Sequence, residues 1–228
     1  MNIVWLTPAL DVYEHMALDE VTVRTRPDEN TLRFYNWKPG PAVTFGYAQA
    51  INQVRKLVGT PVLCRRPTGG GVVQHKEDLT FSLVFPCKQS PVEIYKKLHA
   101  LIQTALVAQG VDSRVCLQKS TAVAYAPSQQ QVANACFTNP VQNDLLLASG
   151  QKMLGGAIRR FGETVLYQGS LQVPGARQNP NYKQALIEAV RGFWQTPLQL
   201  KPVTQDILVQ VQNLANEQYK RTDWTEKF

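Results

Sequence analysis

Apolar positions recur along this chain with two periods. Between residues 13 and 23, Met16, Leu18 and Val21 with Ala17 gather on one side while Glu14, Asp19 and Glu20 stay polar, which predicts a first helix. Ile94, Leu98, Leu101, Ile102, Ala105 and Leu106 repeat the helical spacing over residues 92–109, with Gly110 as the stop. Residues 181–194 and 204–219 read as two closing helices. Residues 79–85 alternate with period two and predict a strand with one buried face. Residues 31–37 and 42–47 read as strands joined in a hairpin-like connection through Lys38-Pro39-Gly40-Pro41. Residues 144–148 and 164–167 read as strands bracketing a lysine segment, the second continued by 169–173. The polar stretch 118–131 reads as a surface loop and candidate mobile lid.

A length of 228 residues at 44% hydrophobic content is enough for one sizeable core, so a single domain over 1–228 is expected. The first residues lack a basic segment followed by an apolar one, and no stretch has the apolar length of a membrane span. The expectation is a soluble, cytoplasmic monomer with no membrane partner. Cys64, Cys87, Cys116 and Cys136 form no Cys-x-x-Cys pair, and His15, His75 and His99 are scattered. Free thiols and no protein-bound metal follow, with His99 a structural residue of its helix. The net charge of +7 points to an acidic partner, with basic pairs at Arg65-Arg66, Lys96-Lys97, Arg159-Arg160 and Lys220-Arg221. Without an aromatic RNA-binding motif, zinc-finger spacing or a continuous basic helix, nucleic acid is not the expected partner.

Two segments carry candidate chemistry. In Arg65-Arg66-Pro67-Thr68-Gly69-Gly70-Gly71-Val72-Val73-Gln74-His75, the glycines let a ligand approach the main chain and let N–H groups turn toward one oxygen; the plain alternative is a tight turn between strands. The P-loop and dinucleotide patterns are not met, since Gln74 stands where a third spaced glycine would be and Lys152 precedes its glycines. The second segment is Gly150-Gln151-Lys152-Met153-Leu154-Gly155-Gly156-Ala157, and Cys136 lies between the two. Together they suggest an acyl-transfer site.

The order Met16-Ala17-Leu18-Asp19-Glu20, Leu32-Arg33-Phe34-Tyr35-Asn36-Trp37, the Arg65 to Gly71 run, His75, Leu79-Thr80-Phe81-Ser82, Gly150-Gln151-Lys152, Gly169-Ser170-Leu171 and Tyr219-Lys220-Arg221-Thr222-Asp223-Trp224 resembles the lipoate/octanoate transferase and ligase family, related in fold to biotin protein ligases. The resemblance spans nearly the whole chain. It implies an α+β fold, a mixed β-sheet flanked by helices, with the acyl chain in a tunnel ending near the lysine. It implies Cys136 and Lys152 as catalytic residues, and Arg66, Thr68, Gly69, Gly70, Gly71, His75, Gly155, Gly156 and Ala157 as substrate-binding ones. The placement of Cys136 upstream of Lys152 is similar to the cysteine-dependent octanoyltransferase branch. That branch takes octanoate from acyl carrier protein through an acyl-cysteine and delivers it to a lysine of a lipoyl-domain protein or the glycine-cleavage H protein, with no cofactor. A structural role for Cys136 as a small buried hydrophobe is the alternative.

The pattern also departs from the family. Gly155-Gly156-Ala157-Ile158 stands where Gly-Ser-Ala-Gln is frequent, and Tyr167-Gln168-Gly169-Ser170 where Gln-His-Gly-Ser is frequent, which reduces side-chain hydrogen bonding. Gly71 matches the ligases, where many cysteine transferases carry arginine. An ATP- and magnesium-dependent lipoate ligase lacking its accessory domain, an octanoyl amidotransferase between carrier proteins, and a non-enzymatic carrier-binding relative therefore stand as alternatives.

Overall fold

The computed structural model describes residues 2–59, 62–117 and 140–228. In chain order these form β1 (Asn2–Leu6), α1 (Val12–Thr25), β2 (Asn30–Phe34), β3 (Val43–Phe45), α2 (Ile51–Val58), β4 (Leu63–Arg65), β5 (Val73–Gln74), β6 (Leu79–Pro86), α3 (Pro91–Ala108), β7 (Ser113–Val115), β8 (Leu145–Leu147), β9 (Lys152–Phe161), β10 (Thr164–Leu171), α4 (Pro180–Trp194), β11 (Gln199–Pro202), α5 (Gln205–Leu214), a π-helical turn (Ala215–Tyr219) and α6 (Thr222–Thr225). An eight-stranded mixed sheet runs β11-β1-β2-β6-β10-β9-β8-β7, and a three-stranded sheet runs β4-β3-β5.

Local sequence fixes where the long helices begin. Asp11 accepts from the Glu14 N–H at 2.8 Å while Glu14 Oε2 accepts from the Asp11 N–H at 2.8 Å, a reciprocal cap that starts α1. Ser90 and Glu93 repeat the device at α3, with Pro91 at its first position.

Period-two alternation then divides the large sheet into two unlike faces. Leu79, Phe81, Leu83 and Phe85 of β6 and Val165, Tyr167 and Leu171 of β10 join Ile94, Leu98 and Ile102 of α3 and Leu186 and Val190 of α4 in the largest core. Thr80 and Ser82 of β6 and Gln168 and Ser170 of β10 point the other way, yet are also buried, because the opposite face is covered. Met16 and Leu18 of α1 meet Ile207 and Val211 of α5 in a second core that includes Ile3 and Trp5 of β1. The small sheet packs Val43, Phe45 and Leu63 on Ile51 and Val54 of α2. The buried polar face in the middle of the large sheet holds the candidate site.

Four expectations are corrected. The two strands flanking Lys38 to Pro41 form no hairpin: β2 is occupied on both edges by β1 and β6, and β3 pairs instead with β4 and β5. The lysine segment is itself strand, β9, with Lys152 its first residue. An eight-residue helix, α2, was not foreseen, since its apolar side rests on Ile51, Val54 and Val58 alone and its N-terminus has no side-chain cap. The Arg65-Arg66 pair is not a surface feature, because both guanidinium groups are buried and spent on main-chain and side-chain acceptors. The predicted lid at 118–131 and Cys136 lie outside the described residues.

Candidate active site

Two buried networks shape the polar face. Asp19 of α1 accepts from Arg33 Nε at 2.7 Å and Ser82 Oγ at 2.5 Å on one oxygen, and from Gln168 Nε2 at 2.6 Å and the Tyr35 hydroxyl on the other. Burial and the Asp19 carboxylate hold the Tyr35 phenol well above its ordinary pKa, so it serves as a neutral donor. Gln168 Oε1 in turn accepts from Thr68 Oγ1 at 2.5 Å, which ties the glycine run to the centre of the sheet.

The second network runs through His75. Thr44 Oγ1 accepts from Arg66 Nη1 at 2.8 Å, leaving its own proton to point at His75 Nε2, 2.8 Å away. That assignment puts the imidazole proton on Nδ1, which faces Asp78 Oδ2 at 3.0 Å. Asp78 Oδ2 also accepts from Thr80 at 2.6 Å and Ser170 at 2.7 Å. Burial acts to raise the Asp78 carboxyl, but His75 and the two hydroxyls outweigh it and bring the pKa down to about 2.

Between the networks opens a cleft lined by Met16, Tyr35, Thr44, Arg66, His75 and Gln168, with the main chain of Gly155 to Ala157 along one side. It encloses about 400 Å³ with open solvent included. Lys152 lies beneath it. Leu145 pairs with Leu154 but Leu146 pairs with Lys152, so Met153 is an extra residue in β9. This bulge reverses the alternation and aims the lysine to the side of Gly155 and Ala157 while Met153 and Leu154 stay in the core. The lysine is 4% exposed, its Nζ lies 2.8 Å from Asp144 Oδ2, and a Cβ at Gly155 would stand 2.3 Å from its Cε. A side chain at 155 would push the end of the lysine aside. Burial pushes the Asp144 carboxyl up and Lys152 pulls it back, the net shift being upward.

The sequence-predicted residues fall into three groups. Arg66, His75, Gly155, Gly156 and Ala157 border the cleft. Thr68 and Gly69 to Gly71 stand behind it: the carbonyls of Gly69 and Gly71 accept from Arg66 Nη2 at 2.8 and 2.9 Å, and Gly70 alone of the three has a positive φ, +90°. Arg66 therefore clamps the loop. Gly156 presents only its main chain, because its Cβ position lies 2.5 Å from the Tyr167 ring on the core side. Lys152 sits under the cleft, and Cys136 is outside the described residues. Sequence reasoning missed Thr44, Asp78 and Asp144, and treated Gln168 only as a departure. Asp144 carried a signal, an acidic residue opening an apolar strand before the lysine. Among the described residues no three His, Cys, Asp or Glu are gathered to hold a metal ion, Cys64, Cys87 and Cys116 are free, and no helix is long and apolar enough to cross a membrane.

This arrangement, a buried lysine at the base of a small cleft with a glycine run clamped behind it, suits binding and activation of an acyl carbonyl. The sequence matches the lipoyl protein ligase A/B catalytic domain over residues 11–205. The chain belongs to that family. Among relatives, it is 31% identical over 173 residues to octanoyltransferase LipM of Oceanobacillus iheyensis, covering 71% of this chain and 60% of that protein. It is 25% identical over 263 residues to octanoyltransferase LipM of Anoxybacillus flavithermus, covering 93% of each. The fold is that of Ta0514, a putative lipoate protein ligase from T. acidophilum solved with bound lipoic acid, with a TM-score of 0.78 at 19% identity over the whole of both chains. The α+β architecture implied by the sequence motifs is therefore that of the family.

Proposed function

We propose that this family member is an octanoyl-[acyl carrier protein]:protein N-octanoyltransferase. The Cys136 thiolate attacks the octanoyl thioester carbonyl, and the carrier thiolate leaves to give an acyl-cysteine. The neutral amine of a target lysine, on a lipoyl-domain protein or the glycine-cleavage H protein, then attacks that carbonyl. Its nitrogen loses a proton, and the Cys136 thiolate leaves with the amide formed. Both steps exchange one acyl bond for another, so neither consumes ATP. The enzyme's task is alignment and stabilisation of the tetrahedral oxyanion.

The observation that carries this reading is Lys152, buried, aimed by a strand bulge and held against Asp144 at the base of the cleft. Its ammonium is a positive charge placed there to favour a thiolate or an oxyanion. The Val141 N–H donates to the same Asp144 Oδ2 at 2.7 Å. The names of the LipM relatives support octanoate as the cargo, and the lipoic acid bound by Ta0514 supports a medium-length acyl chain in this fold. Incubation with octanoyl-acyl carrier protein followed by intact-mass measurement tests the reading. A hydroxylamine-sensitive octanoyl adduct is expected, absent in Cys136→Ala. ATP-dependent labelling with free lipoate and no adduct would replace the transferase with a ligase.

A further inference from the structure

The carboxylate that holds Lys152 rests on a turn in an unfavourable backbone conformation. Residues 141–144 close with the Asp144 N–H donating to the Val141 carbonyl at 3.0 Å, and Asn143, third in that turn, has a φ of +73°. Among the described residues only Asn143 and Gln195 take a positive φ without being glycine. Asparagine tolerates that conformation better than most residues, yet for any L-residue it lies above the extended and right-handed regions in energy. Neighbouring groups must therefore hold it. The Asn143 N–H donates to the Cys116 carbonyl at 2.9 Å, and the Cys116 N–H donates to the Asp144 carbonyl at 2.7 Å, which hangs the turn on the residue that follows β7.

A further contact reaches the turn from α3. His99 is fully buried, with Nδ1 2.6 Å from the Asn143 carbonyl and Nε2 2.8 Å from the Tyr167 hydroxyl. A carbonyl only accepts, so Nδ1 carries the proton and Nε2 accepts from Tyr167. Burial brings the imidazole pKa down to about 4, which keeps this one tautomer in place at neutral pH. The bond from Nδ1 ends on the peptide that joins Asn143 to Asp144, and the direction of that peptide sets where the carboxylate points. There Asp144 Oδ2 accepts from the Val141 N–H at 2.7 Å and faces Lys152 Nζ at 2.8 Å. His99 is not among the residues lining the acyl cleft, so any effect it has on the chemistry passes through the turn.

We propose that His99 is a positioning residue for acyl transfer: it holds Asn143 in the left-handed conformation and so aims the Asp144 carboxylate at Lys152. The inference rests on the transferase reading for the use made of Lys152, but its primary test needs no turnover. Competitive acetylation with acetic anhydride, read by mass spectrometry at Lys152 against the exposed Lys76, reports how firmly the buried ammonium is paired. His99→Phe should raise labelling of Lys152 about tenfold, the scale set by the cost of a left-handed residue. Asn143→Val, whose β-branched side chain resists a positive φ, should do the same with His99 intact. His99→Asn, whose side-chain amide can donate from the position of Nδ1, should keep labelling near the wild-type level although it forfeits the bond to Tyr167. Adding Asn143→Gly to His99→Phe should restore slow labelling, because glycine takes the conformation unaided. Labelling that follows the loss of Tm across all these variants, with no rescue by glycine, would make His99 merely structural and overturn the proposal, as would unchanged labelling in Asn143→Val. In single-turnover acylation by octanoyl-acyl carrier protein, His99→Phe should be about tenfold slower at saturating donor with KM unchanged, and Asn143→Gly should recover the rate. The labelling pattern without an octanoyl adduct on the wild type would refute the transferase and leave the positioning; an adduct with labelling indifferent to every variant would do the reverse.

Discussion

Adjacent glycines in β9 should fail in opposite ways when given a methyl group. At Gly155 the new Cβ would lie 2.3 Å from Lys152 Cε and 2.6 Å from Nζ, against an ordinary contact of about 3.4 Å or more, so the end of the lysine must move by about 1 Å. That end is flexible, and the strand keeps its pairing with β10. A displacement of that size at a reacting group costs on the order of 10²-fold in rate. At Gly156 the Cβ would lie 2.5 Å from the Tyr167 ring, which is fully buried and whose hydroxyl lies 2.8 Å from His99 Nε2. The ring has nowhere to go. Overpacking of about 1–3 kcal/mol and a lost hydrogen bond of about 1 kcal/mol, less the roughly 0.5–1 kcal/mol that alanine gains over glycine in a strand, leave a loss of about 1–3.5 kcal/mol.

The assays are a thermal melt and single-turnover acylation by octanoyl-acyl carrier protein. Gly156→Ala should lower Tm by roughly 2–14 °C, at about 2–4 °C per kcal/mol for a chain of this size. Gly155→Ala should melt within a few degrees of the wild type and acylate about a hundredfold more slowly. A Gly155→Ala protein that acylates at the wild-type rate would refute the placement of Lys152 at the reacting group. Equal melting losses in both variants would refute the assignment of the two glycines to opposite faces.

Lys152→Met, which fills the space without charge, should keep the fold and slow acylation by at least tenfold, because Asp144, already pushed toward protonation by burial, can take up a proton in place of the lost partner; intact-mass time courses check this. Asp19→Ala should cost about 3–5 kcal/mol in urea denaturation, since it strands the buried Arg33 guanidinium. Stability should also fall on mild acidification: burial lowers His99 to about 4, so the unfolded chain, with a pKa near 6.5, takes the proton first. That contribution is intact above about pH 6.5 and lost as pH falls to about 4, amounting to about 3 kcal/mol. A urea midpoint with the same pH slope in His99→Phe would remove His99 as the cause.

What the sequence revealed follows from whether a feature is local. The helices α1, α3 and α4 were legible because apolar spacing, caps and stops are written within a few residues, and β6 and β10 because alternation marks a strand with one apolar face. The pairing of β3 was not legible: three residues long, it is set by partners at Leu63–Arg65 and Val73–Gln74, and the strong turn signal beside it favoured a hairpin. The strand at Lys152 was hidden by its glycines, which weaken any strand signal yet are needed for Lys152 and Tyr167 to occupy the space of the missing side chains. Arg66 and the glycine run were visible as chemistry, but not their division of labour, which depends on Thr44 and Gln168 arriving from other strands.

That division explains the shortened side-chain chemistry at Gly156 and Gln168. A serine at 156 would place its Cβ in the Tyr167 ring, so with tyrosine at 167 the position must be glycine. Tyr167 in turn fixes His99, whose other ring nitrogen lies 2.6 Å from the Asn143 carbonyl, the residue before Asp144. The departure at 156 and the one at 167 are therefore two halves of one packing solution, and its far end supports the carboxylate that holds Lys152. Gln168 likewise exchanges a ring for an amide able to donate to Asp19 and accept from Thr68 at once. An amide bridging a carboxylate and a hydroxyl carries no proton to lose near neutral pH, so the tether of the glycine run should hold its form across the range in which a thiolate nucleophile works.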